Sequence, residues 1–221
     1  MNVLPAELRQ SLFITGTDTG VGKTWVATRL LHAQGGAGLR AAGMKPVAAG
    51  AEMTSHGLRN DDALDLQAAS GVRLPYEWVN PCCLPEATSP HLAARRAGQA
   101  INIGAIKQAF DRICAETDVI VVEGAGGWLA PIDEPARSGE AGPTMADIAL
   151  ALQLPVLLVV GIRLGCISHA LLTAGAIQRS GLRWVGWVAN PIDPDFADRD
   201  DYVQALRQRL PVPLLSIPSS P

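Results

Sequence analysis

Residues 12–24 read LFITGTDTGVGKT, an apolar run (Leu12, Phe13, Ile14) that breaks into glycine and threonine and closes on Gly22-Lys23-Thr24 before a helical pattern. Strand, glycine-bearing turn and helix in that order make a phosphate-binding loop. Glycines let backbone N–H groups turn onto phosphate oxygens, and the helix points the positive end of its dipole at the same spot. On this reading Thr17, Asp18, Thr19, Gly20, Val21 and Gly22 form the cradle for a nucleotide. Lys23 reaches its terminal phosphates, and the Thr24 hydroxyl ligates magnesium. The usual spacing is G-x-x-x-x-G-K-[ST]. Here Gly16 stands one residue too far from Gly22, with Thr17 in the place of the first glycine, so the loop is a variant. The plain alternative is a glycine-rich turn beside an incidental lysine, and the strand context together with GKT argues against it.

Such a strand needs a sheet around it, and the chain has the material. Its 221 residues suit one domain, 1–221, and 48% hydrophobic residues suit a parallel sheet buried on both faces. A net charge of −3 gives no electrostatic case for nucleic acid or an anionic membrane. The apolar runs are too short to span a bilayer, and MNVLPAELRQ lacks the regions of a signal peptide, so cytoplasmic residence is expected. The four cysteines, Cys82 and Cys83 among them, show no metal-ligand spacing and read as reduced, buried thiols.

Beyond the loop, Val26, Leu30 and Ala33 fall at helical spacing, and the glycines of 35–38 end that helix. A second strand is expected over 39–44, ending at Lys45-Pro46. A polar stretch leads to Asp62, followed by a helix that Gly71 stops. Residues 74–90 are proline-rich without clear periodicity and read as a long, ordered surface excursion. Ser89 and Pro90 suit the N-cap and first position of another helix. Ile103, Ile106, Phe110 and Ile113 mark one face of the next. Further strands are expected at 118–123, 156–161 and 184–190, with helices after each and a last short strand at 212–218. Strands alternating with helices predict an α/β fold with a doubly wound, mostly parallel sheet and flanking helices.

In such sheets ligands bind beyond the carboxyl ends of the strands. The loop, Lys45, Glu123 with the turn Gly124, Ala125, Gly126 and Gly127, and Asn190 all lie there. Glu123 ends an apolar run as a magnesium-holding acid does, or it is a solvated strand-end acid. Lys45 is either a surface lysine or a second positive charge that opposes charge developing in phosphoryl transfer. Asp61 and Asp62 equally suit the start of a helix.

Across its length the chain resembles the dethiobiotin synthetases, P-loop enzymes of biotin synthesis. The matching stretches are GTDTGVGKT, AGMKPVAAG, GLRNDDALDL, VNPCCLPEATSPH, VVEGAGGW, LPVLLVVGIRLGCISHA and GWVAN. The resemblance implies that ATP and Mg2+ drive closure of a ureido ring. One amine of 7,8-diaminopelargonic acid takes up CO2 as a carbamate, the carbamate attacks the γ-phosphate, and the second amine closes the ring. It implies Thr24, Asp62 and Glu123 as magnesium ligands and Lys23, Lys45 and Thr19 at the transferred group. Asn190 would meet the nucleotide, and Ala49 and the turn 124–127 the substrate. It also implies a homodimer, whose second copy binds the substrate's carboxylate tail through Leu164, Gly165, Cys166 and Ser168 at a helix N-terminus, with Tyr202 nearby. His91 and His169 read as structural.

Three departures from the family accompany the match. Gly20 stands where some members carry an acid, Ala49 where some carry a serine, and the chain stops at LSIPSSP, short of residues that help hold the base in relatives. Two competing readings are a regulatory ATPase of the septum-site type and a binding protein that has lost turnover. The first needs a second lysine early in the loop, where this chain has Thr17-Asp18; the second conflicts with Lys23, Lys45, Asp62 and Glu123. No guanine motif follows Asn190, which speaks against a GTPase.

Overall fold

The computed structural model describes residues 4–217. A short 3-10 turn, Ala6–Leu8, precedes β1, Leu12–Gly16, and α1, Lys23–Gly36. Next come β2, Ala41–Met44; β3, Val47–Ala49; β4, Glu52–Thr54; and β5, Gly57–Arg59. They are followed by α2, Asp61–Ala69; α3, Tyr76–Val79; β6, Cys82–Leu84; α4, Pro90–Ala97; and α5, Ile103–Glu116. The remainder is β7, Val119–Glu123; α6, Met145–Leu152; β8, Val156–Ile162; α7, Cys166–Arg179; β9, Trp184–Pro191; and α8, Arg199–Arg207.

Five strands form one sheet in the order β2-β7-β1-β8-β9, every neighbour parallel. Alternate residues of each strand enter opposite cores, as the period of two requires. Phe13, Val122, Leu158 and Val160 face the helices α5, α6 and α7, while Leu12, Ile14, Val121 and Val159 face α1. With both faces covered, β1, β7 and β8 are buried throughout, which is why they read as unbroken apolar runs. The expected doubly wound α/β architecture is present.

Three local expectations differ from the structure. Residues 74–90 are no surface excursion. They contain α3 and β6, and Leu74, Tyr76, Val79, Cys82 and Leu84 are all buried in the main core. The chain past Pro46 does not leave the fold as a polar stretch either: β3 runs parallel to β6 as a second small sheet, and only the β4–β5 hairpin beyond it is polar and largely open. Pro46 ends β2 as expected, but the strand resumes one residue later with new partners. The last strand reduces to a single bridge of Leu214 to Trp187, and its end at Pro218 lies outside the described residues.

Candidate active site

The register of the sheet builds the site. Met44 lies opposite Val122, so the next residues along the two strands, Lys45 and Glu123, emerge side by side at the carboxyl edge. Glu123 Oε1 accepts from the Lys45 ammonium at 2.5 Å, and Asp62 Oδ2, from the first turn of α2, accepts from it at 2.7 Å. The Thr24 hydroxyl lies 2.8 Å from Asp62 Oδ1 and 3.0 Å from Glu123 Oε1. Asn60, rather than either aspartate, caps α2 by accepting from the Ala63 N–H, which leaves Asp62 free to face Lys45.

Electrostatics follow from this crowding. Burial alone depresses an ammonium, but the carboxylates of Glu123 and Asp62 outweigh it and raise Lys45 above the ordinary lysine value. Burial likewise opposes ionisation of Asp62, and the Lys45 charge overrides it and lowers the carboxyl. For Glu123 burial wins, and its carboxyl is pushed up despite Lys45. Lys23 is pushed down to about 8 by burial and by the neighbouring Lys45 charge. Two ammonium groups, both buried, and two carboxylates thus share one corner, where their charges nearly balance.

The loop is held shut around this corner. Lys23 Nζ donates to the Asp18 carbonyl at 2.9 Å, and Arg163 pairs with the Asp18 carboxylate at 2.8 Å. Asn190 Nδ2 donates to the Val21 carbonyl at 2.9 Å and packs against Gly22, the left-handed residue (φ 86°) that opens α1. Thr17 donates its N–H to Val159 and so extends the sheet rather than the cradle.

A cavity of about 860 Å³ opens over these groups. It brings together Thr19, Gly20, Gly22, Lys23, Thr24, Lys45, Ala49, Asp62, Glu123, Ala125, Gly126 and Gly127. Thr17, Asp18, Val21 and Asn190 support the loop from outside its wall. Gly124 also lies behind the wall: its N–H donates to Ile14, and a Cβ there would press on Phe13 and Met145 at 3.1 Å. The sequence reading missed Asn60, the stretch 87–90, Ala130 and Pro131, which complete the wall. Asn60 and residues 87–90 lie in stretches that match the family, and Ser89-Pro90 also marked a helix start, whose N-terminus lines this cavity.

Leu164, Gly165, Cys166, Ser168 and Tyr202 do not reach the cavity of their own chain. Leu164 is 77% exposed, Gly165 caps α7, Cys166 is buried, and Tyr202 stacks edge-on against Phe196.

The donor set suits a hard cation. Thr24, Asp62 and Glu123 present only oxygen, and Glu123 Oε2 is buried without a hydrogen-bond partner. Among the described residues no three His, Cys, Asp or Glu side chains gather as a cage. A cation here would rest on two carboxylates, one hydroxyl and water, the manner in which magnesium binds.

A family model described as an AAA domain matches residues 10–221. Over 203 residues the chain is 50% identical to the ATP-dependent dethiobiotin synthetase BioD of Xanthomonas axonopodis pv. citri, covering 92% of this chain and 88% of that protein. It is 47% identical over 203 residues to the protein of the same name from Xylella fastidiosa, covering 92% and 87%. Among solved structures, the signal recognition particle receptor FtsY from Elizabethkingia anophelis in complex with GDP matches with a TM-score of 0.56 at 17% identity, over 93% of this chain and 55% of that one. The cell division protein ftsY of Thermotoga maritima gives 0.55 at 13% identity, over 99% and 65%. At such identities the likeness is one of fold.

Proposed function

The chain belongs to the dethiobiotin synthetase family, and on that premise we propose how its cavity performs the family's step. The step is an ATP-dependent ligase reaction of biotin synthesis: 7,8-diaminopelargonic acid and CO2 become dethiobiotin as ATP becomes ADP and phosphate.

A carbamate and a γ-phosphate are both anionic, and their reaction needs positive charge held between them. The observation that carries the reading is the Lys45 ammonium, buried and fixed between Glu123 and Asp62 beside Lys23. Lys23 serves the β- and γ-phosphates inside the loop. Lys45 faces the carbamate and the group in flight, and Thr19 lines the mouth between them. The carbamate oxygen attacks phosphorus, ADP leaves, and a carbamic–phosphoric anhydride forms. The second amine then attacks the carbonyl carbon; phosphate leaves with the bonding pair, and the amine proton passes to solvent or phosphate. Ala49 and the N–H groups of Ala125, Gly126 and Gly127 border the diamine, and Asn190 holds the loop under the nucleotide. Thr24, Asp62 and Glu123 would hold magnesium, which neutralises phosphate charge when bound.

In this reading residues 1–221 act as one unit in the cytoplasm. A homodimer accounts for Leu164, Gly165, Cys166, Ser168 and Tyr202: the α7 N-terminus of a second copy would take the substrate's carboxylate tail. Support is that none of these residues lines the cavity of its own chain and that Leu164 is exposed. Among the described residues no helix is long and apolar enough to cross a membrane.

The test is mass spectrometry of a reaction containing the protein, ATP, magnesium, bicarbonate and 7,8-diaminopelargonic acid. A dethiobiotin product that requires each addition is expected. A product formed without ATP or without magnesium would overturn the mechanism.

A further inference from the structure

Lys45 is held from behind as well as from in front. It lies past the end of β2, so the sheet gives its backbone no ladder partner, and the residues ending α3 supply both bonds. Its N–H donates to the Val79 carbonyl at 2.7 Å, and its carbonyl accepts from Asn80 Nδ2 at 2.7 Å. The same amide donates to the Cys82 carbonyl at 3.3 Å, and its Oδ1 accepts from the Tyr76 hydroxyl at 3.1 Å. The Tyr76 oxygen in turn accepts the backbone N–H of Asn60 at 2.9 Å. Asn60 is the cap of α2, two residues before Asp62. Asn80 and Asn60 are 3% and 8% exposed, so the chain of bonds runs out of contact with water. Burial pushes the Tyr76 phenol up to about 12, which keeps it a neutral donor.

Along the sequence, Lys45 and Asp62 are joined through β3, which pairs with β6, and then the β4–β5 hairpin, whose first strand is fully exposed and whose base Asn60 Nδ2 ties by donating to the Gly50 carbonyl at 3.2 Å. An open hairpin fixes no distance. The buried path Lys45 carbonyl, Asn80 amide, Tyr76 hydroxyl, Asn60 N–H does. We propose that Asn80 is a positioning residue, which through Tyr76 sets the Lys45 ammonium against the Asp62 carboxylate and so aims the charge that meets the transferred phosphoryl group. The inference rests on the reading that gives Lys45 its role in phosphoryl transfer. Without the amide, the Lys45 and Cys82 carbonyls and the Tyr76 hydroxyl each lose a partner, and the end of β2 relaxes. A shift of about 1 Å at the ammonium then slows the chemical step far more than it weakens binding.

The test uses the full chain with Asn80→Ala and Tyr76→Phe, each made in the wild type and in Lys45→Met. Dethiobiotin formation gives kcat and the KM for ATP, and thermal unfolding monitors the fold. Tyr76→Phe keeps the ring and its packing, so it remains informative if Asn80→Ala fails to fold. In the wild type, kcat falls about 100-fold for Asn80→Ala and about tenfold for Tyr76→Phe, with the KM for ATP within about twofold. In Lys45→Met, neither change lowers the residual rate further, because the charge they aim is gone. Unchanged kcat in a folded variant overturns the inference, as does the same fold-loss in both backgrounds, which a purely structural role would give. If Lys45→Met alone leaves the rate intact, the reading of Lys45 itself fails, and the Asn80 inference with it.

Discussion

The Lys45 ammonium lies 2.5 Å from Glu123 Oε1, in side chains that are 4% and 1% exposed. Removing one partner of so deep a pair strands the other, which typically costs about 3 kcal/mol. Lys45→Met is therefore expected to lower both turnover, by about 100- to 1000-fold, and stability. The stability loss depends on pH. Glu123 titrates above its ordinary value in the fold, so its protonated form favours the native state, and that contribution disappears as pH rises through the folded value. Melting temperatures of Lys45→Met should fall more steeply than those of the wild type as pH rises through the range in which the raised Glu123 carboxyl ionises. Parallel profiles would contradict the assignment of Glu123 as the stranded acid.

Lys23 carries the opposite sign. Its folded value of about 8 lies below the ordinary 10.5, so between these values the unfolded chain binds more protons and native stability rises with pH. Nucleotide phosphates restore the ammonium, and binding near pH 8 should take up a fraction of a proton. Calorimetry of ADP binding in two buffers of different ionisation enthalpy measures that uptake directly. Equal heats in both would exclude Lys23 as the titrating group.

The two loop glycines should respond differently to alanine. A Cβ on Gly20 meets nothing within 4 Å, so only its left-handed backbone (φ 74°) resists. That strain is about 1 kcal/mol. A Cβ on Gly22 would fall 2.0 Å from Asn190 Nδ2 and drive that amide off the Val21 carbonyl. Gly22→Ala should cost about 2 kcal/mol or more and abolish ADP binding, while Gly20→Ala still binds. Thermal shifts with and without ADP distinguish them. The open space at Gly20 also means that Gly20→Glu can be accommodated, at the same backbone strain.

If Thr24, Asp62 and Glu123 hold magnesium, ADP with magnesium should raise the melting temperature beyond ADP alone, by mass action on the native state. Thr24→Val keeps the shape of the side chain and removes one oxygen ligand. Most of the magnesium-dependent increment should vanish while the ADP-only shift persists. An intact increment would remove Thr24 from the ligand set.

The sequence disclosed what local pattern can encode. Continuous apolar runs announced β1, β7 and β8 because both faces of those strands are covered, and the glycines and GKT announced the loop. Residues 74–90 stayed opaque for a physical reason. Elements of three and four residues, interrupted by Pro75, Pro81 and Pro85, are too short to show a period, and Leu84 is buried by a partnership with β3 that only the tertiary fold supplies. The ion cluster was legible as residue types at strand ends. Its geometry was not, since it depends on Met44 lying opposite Val122 and on Asn60 taking the cap that frees Asp62. Asn80 carried no sequence signal as a site residue, because its partners are the backbone of Lys45 and a distant phenol.

The sheet order has a consequence for biosynthesis. β1 is synthesised well before its neighbours β7 and β8, the second of which brings Val159 against Gly16. A strand with partners so distant in sequence closes large loops before any contact rewards it, which slows folding. During translation the phosphate loop therefore trails from an unpaired apolar strand until most of the chain has been made, a state prone to aggregation. The segment that defines the chemistry is made before either of the strands that secure it.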